Sequence, residues 1–137
     1  MWLKSSKKSI VRLLLTGLIV VTSLSLFPNT SSAASFSFTI SPPFAGSLVS
    51  SSLVTKTSTS TPYVSPSHSA TPTHYFLSPQ RGSSTQATGL VTNISTAGRR
   101  NLSYLSGYGG TNQRYCLSAY PSNTSFVRYS VSGTWAP

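Results

Sequence analysis

The sequence predicts a small all-β domain, an antiparallel sandwich or barrel of about seven short strands that follows a helical signal peptide. Three observations lead there. Apolar and polar residues alternate at period two in short runs. Gly, Pro, Ser and Asn punctuate those runs every eight to twelve residues or so, the spacing of a sandwich or barrel. Beyond the first 34 residues the helical period is nearly absent, and Ser and Thr make up roughly a third of the chain, far above average use.

The first segment has its own logic. Lys4, Lys7, Lys8 and Arg12 precede an apolar stretch running from Leu13 through Val21 to Leu24, Leu26 and Phe27, which ends at Ser32-Ala33-Ala34. A basic start, an apolar middle and a small-residue cleavage site are the parts of a secretory signal peptide. Thr16, Thr22, Ser23 and Ser25 interrupt the apolar run, which is short for a ~20-residue membrane span. Residues 1–34 are therefore read as a signal peptide cleaved near Ala34, which makes the protein secreted. Residues 35–137 form the exported domain, with no internal repeat.

Phe36-Ser37-Phe38-Thr39-Ile40 is the first strand, its apolar residues on one face, and Pro42-Pro43 ends it. Leu48-Val49 and Leu53-Val54 flank a serine triplet and are read as a second strand. Residues 55–73 are Ser/Thr/Pro-rich and read as a flexible surface loop, with a short edge strand at Tyr63-Val64 as the alternative. Strand patterns return at Thr73–Leu77, Ala87–Ile94 and Asn101–Leu105. The glycine-rich stretch Ser106–Asn112 reads as a turn. The last two runs are the clearest. Gln113–Tyr120 sets Tyr115, Leu117 and Ala119 against Arg114, Cys116, Ser118 and Tyr120. After a turn at Pro121–Thr124, Phe126–Trp135 sets Val127, Tyr129, Val131 and Trp135 against Arg128, Ser130, Ser132 and Thr134. Both are expected to keep one face dry and one wet.

Composition excludes more chemistry than any motif supplies. The 137 residues include no Asp and no Glu against ten Lys and Arg, a formal charge of +10. No side-chain carboxylate is present to act as a general base, to bind Ca²⁺ or Mg²⁺, to form a glycosidase pair or to orient a catalytic His. Cys116 is the single cysteine, so no disulfide forms within the chain. It is read as a small packed hydrophobe, with pairing between chains as the alternative. A Cys–His dyad would need Cys116 beside His68 or His74, and two His with one Cys lack a metal's fourth ligand. Gly107-Tyr108-Gly109-Gly110 lacks the Lys-Ser/Thr of a phosphate loop. The expectation is a non-enzymatic protein without metal or cofactor. Asn93, Asn101 and Asn123 begin glycosylation triplets, which matter only in a eukaryotic source. The tyrosines and Trp135 are read chiefly as core, with a sugar-binding face as the alternative.

The remaining cations are the candidate site. Arg81, Arg99, Arg100, Arg114 and Arg128 are the expected contacts for an anionic partner, a cell-envelope polymer or a membrane surface, with plain solubility of scattered charges as the alternative. Export argues against nucleic acid. A secreted cationic toxin of the bacteriocin kind is the alternative, although no amphipathic helix supports it. Biased translation of a spurious open reading frame is another. Phe36-Ser37-Phe38-Thr39-Ile40 and Tyr129-Ser130-Val131-Ser132-Gly133-Thr134-Trp135 resemble the two ends of a family of small exported Gram-positive proteins of unknown function. That family usually carries acidic residues, including after the final Trp, where this chain has Ala136-Pro137. The resemblance implies secretion and a β-sandwich, and it transfers no catalytic residue.

Overall fold

A computed structural model describes residues 32–41, 48–122 and 127–137. Most of the signal peptide, the Pro42-Pro43 stop, the Asn123 triplet and part of the turn before the last strand lie outside the described residues. Nine strands form two antiparallel sheets. They are β1 (Ala34–Ile40), β2 (Val49–Ser50), β3 (Val54–Thr55), β4 (Tyr63–Pro66), β5 (Thr73–Ser78), β6 (Val91–Ile94), β7 (Arg100–Asn101), β8 (Arg114–Pro121) and β9 (Tyr129–Ala136). The first sheet runs β1-β9-β4-β7 and the second β2-β8-β5-β6, with β3 also on β8. The count exceeds the expected seven because the Leu48–Val54 run splits into β2 and β3, and β4 is added.

Period two builds the core. Phe36, Phe38 and Ile40 of β1 face Tyr75 and Leu77 of β5 and Tyr115, Leu117 and Ala119 of β8, across an interior shared with Val64, Tyr129, Val131 and Trp135. Trp135 is fully buried, as its place in the alternation predicts, and its indole N–H has no partner there. The Thr73 and Tyr129 hydroxyls, 2.9 Å apart, link the two sheets. The first sheet keeps a wet outer face. Its cross-strand pairs Ser35–Thr134, Ser37–Ser132 and Thr39–Ser130 are all exposed.

Three expectations fail. Two of the four outward residues of β8 are not wet: Cys116 and Ser118 are fully buried, while Arg114 is exposed and Tyr120 is half-buried. The chain after β5 folds back over this face. The Gly82 N–H donates to the Ser50 hydroxyl, which lies 2.9 Å from that of Ser118, and Ser84, Gln86 and Leu48 flank Phe76 and Tyr120. Val127 is 70% exposed, because β9 begins only at Tyr129. Residues 62–73 are no simple surface loop either. Val64 is fully buried, and β4 lies between β9 and β7 rather than at an edge. Gly133 makes this placement work. A Cβ there would clash with the Ser65 carbonyl oxygen, so only glycine lets β4 approach β9 at that point.

Candidate cationic surface

The fold distributes the five predicted arginines over four places. Arg99 and Arg100 stand together at the β7 edge of the first sheet. Arg81 is exposed after β5 and borders a groove with Ser35, Ser37 and Ser50–Ser52. Arg114 opens β8 beside Tyr108 and Gln113. Arg128 precedes β9, about 20 Å of strand away from Trp135. Only the first two form a pair.

That pair is held in place. The Arg99 guanidinium carbon lies 3.9 Å from the centroid of the Tyr63 ring, a stacked cation–π arrangement. Arg99 Nε donates to Asn101 Oδ1 at 3.1 Å. Arg100 donates from Nη2 to Thr96 Oγ1 at 3.0 Å and from Nη1 to the Arg99 carbonyl at 3.1 Å. Tyr63 is positioned by β4, whose Tyr63 and Val64 pair with Asn101 and Arg100. A planar guanidinium fixed on a ring still offers its remaining N–H groups to an oxyanion, with less rotamer freedom to lose. Sequence shows the Arg99-Arg100 doublet but not its tyrosine platform, which lies 36 residues earlier (99 − 63) in Ser/Thr/Pro-rich text.

Sequence reasoning also missed a buried cation. Lys56 is 1% exposed, yet its Nζ donates to the Ser60 carbonyl at 2.8 Å and sits 5.1 Å from the centroid of the Tyr104 ring. Desolvation lowers its pKa below the usual lysine value. Burial raises the Tyr104 phenol, reinforced by neighbouring Tyr115. A lone lysine among serines and threonines carries no sequence signal for burial.

The nucleophile candidates do not come together. His74 pairs with Tyr120 across the β5–β8 ladder, while Cys116 lies four residues from Tyr120, about 13 Å along the strand. His68 is exposed. Burial raises the Cys116 thiol pKa, opposite to the shift that makes a reactive thiolate. Desolvation lowers the pKa of His74, whose ring packs 4.8 Å from that of Tyr120. Comparison with known proteins finds no matching family model, no matching curated protein and no matching solved structure.

Proposed function

We propose that this is a secreted, non-enzymatic binding protein that stays at the cell envelope and holds an anionic polymer on its β7 edge. The observation that carries the reading is the Arg99–Arg100 pair, braced by Tyr63, Asn101 and Thr96, in a chain with no Asp or Glu side chain. Everything that balances these charges must come from outside the side chains. The apolar start of the sequence and the resemblance to small exported Gram-positive proteins support the location. Phosphate or carboxylate groups repeated along a polymer would meet the two guanidiniums through charge-assisted hydrogen bonds.

The test is retention of the purified protein on wall teichoic acid across a salt series. Exposed charges are screened beyond about 8 Å at physiological ionic strength, so retention should fall steadily as salt rises. Retention that ignores salt, or equals retention on a neutral glycan, overturns the proposal.

A further inference from the structure

A second feature lies at the β3–β8 end of the molecule, where the glycine-rich turn meets three tyrosines. Pro79, Tyr108, Gln113, Arg114 and Tyr115 line a hollow of about 330 Å³, at the lower end of the range for ligand pockets. Its floor is rigid. Tyr115 is fully buried, and its ring lies 5.2 Å from that of Tyr104 and 6.5 Å from that of Tyr108. The turn above it is built for this shape. Gly109 has φ +94°, and a Cβ there would fall 2.7 Å from the Tyr104 ring. Lys56 clamps the base of the turn: its N–H donates to the Gln113 carbonyl and its carbonyl accepts from Asn112, both at 2.8 Å.

The polar groups of the turn form a one-way chain. The Gly109 N–H donates to the Tyr115 hydroxyl at 2.7 Å, and that hydroxyl donates to Gln113 Oε1. The Gly110 N–H also donates to Gln113 Oε1, at 2.9 Å. A backbone N–H can only donate, so this end of the Gln113 amide is its oxygen. That leaves its NH₂ as the donor end of the amide. What remains at the hollow is two amide donors on Gln113 and the Arg114 guanidinium, which has donors alone. The Lys56 cation sits behind Tyr104 and adds positive potential. A ring-lined hollow whose side-chain amide and guanidinium present donors suits an anion carried on a ring with an apolar face.

We infer that this hollow binds one residue of a sugar acid, its ring against Tyr108 and Pro79 and its carboxylate on Gln113 Nε2 and Arg114. The inference deepens the envelope-binding reading only in taking the ligand to be an anionic envelope component. The site itself is separate from Arg99 and Arg100. The probe is free glucuronate, titrated against the full exported protein and followed by amide NMR shifts, with glucose and inorganic phosphate as controls.

Glucuronate should shift the Gly109, Gly110 and Arg114 amides with a dissociation constant on the order of 1 mM, a weak single-residue affinity. Gln113→Glu should lower that affinity at least tenfold, about 1.4 kcal/mol. It keeps both acceptors of the turn and replaces the donors with a negative charge, so an unchanged amide spectrum without ligand separates lost binding from lost fold. The double variant Arg99→Ala/Arg100→Ala should bind glucuronate like the parent. Absence of shifts, equal binding of glucose, equal binding of phosphate, or unaltered binding by Gln113→Glu would each overturn the sugar-acid assignment. None of those results touches polymer retention by Arg99 and Arg100, and loss of that retention leaves glucuronate binding in place.

Discussion

The two sheets use the same period-two text and treat their outer faces differently. In the first sheet, the outward Ser35, Ser37, Thr39, Ser130, Ser132 and Thr134 all remain in water. In the second, the outward Phe76, Ser78, Cys116 and Ser118 are buried beneath chain that returns after β5. Alternation alone therefore says which residues share a face, and it does not say whether that face is wet. The distinguishing cue is chemical. Phe76 and Cys116 are poor surface residues, whereas Ser35, Ser37 and Thr39 of β1 and Ser130, Ser132 and Thr134 of β9 are all hydroxyls. The wet sheet carries the braced arginine pair at its edge, and the covered sheet carries the donor-lined hollow at its end.

The largest effect should come from the shared core. Trp135→Ala removes a fully buried ring and should cost about 3–5 kcal/mol. Of a total near 5–15 kcal/mol, that is a large fraction, and thermal unfolding should show it as a steep fall in Tm. A variant that melts like the parent would place Trp135 at the surface and remove the distinction between inner and outer faces. Gly133→Ala comes next. The added Cβ meets the Ser65 carbonyl and the Pro66 backbone, so β4 must withdraw from β9, at a cost of about 1–3 kcal/mol or more. Denaturant unfolding measures it, and an unchanged midpoint would mean that the two strands do not approach so closely.

The outer faces are compared most directly by matched substitutions. Ser118→Ala removes the partly buried hydrogen bond to Ser50 and should cost roughly 1 kcal/mol. Thr134→Ala, exposed on the first sheet, should stay within about 0.5 kcal/mol. Equal effects in denaturant unfolding would show that the second sheet is as wet as the first.

The smallest effect is in pH. Lys56 has its folded pKa lowered below 10.5 by burial, so the folded state resists its charge. Stability should rise as pH climbs from the lowered value towards 10.5, where the unfolded lysine also loses its proton. Tyr75, pushed up to about 12 by burial, acts the other way. Its neutral form is favoured in the fold, so stability declines above the unfolded tyrosine value near 10.0. Lys56→Met should flatten the rise below pH 10 and leave the decline in place. A rise of the same size in Lys56→Met would assign it to another group.

Much of this architecture was legible because its strands obey one rule. β1, β5, β8 and β9 read directly from alternation, and the burial of Trp135 followed from its parity with Tyr129 and Val131. β4 was obscured because Pro62 and Pro66 bracket only three residues, and Ser/Thr text around them gives no apolar period. Gly133 within the best strand was the available hint of a close neighbour. At the candidate site, the Arg99-Arg100 doublet was visible in sequence. The Tyr63 platform and the buried Lys56 were not, because both depend on contacts between segments far apart in the chain.

The proposed function has wall teichoic acid held at the Arg99–Arg100 edge and not by overall charge. Retention on wall teichoic acid at low salt should be compared for Arg99→Ala/Arg100→Ala and for the double variant Arg81→Ala/Arg128→Ala, which removes the same charge from other parts of the surface. Log affinity falls with log salt roughly in proportion to the number of phosphate contacts neutralised, so the slope counts them. The β7 double variant should lose most of the affinity and lower the slope by about 2, while the other keeps both nearly unchanged. Equal losses in the two variants would mean diffuse charge attraction and would contradict a site at Arg99 and Arg100.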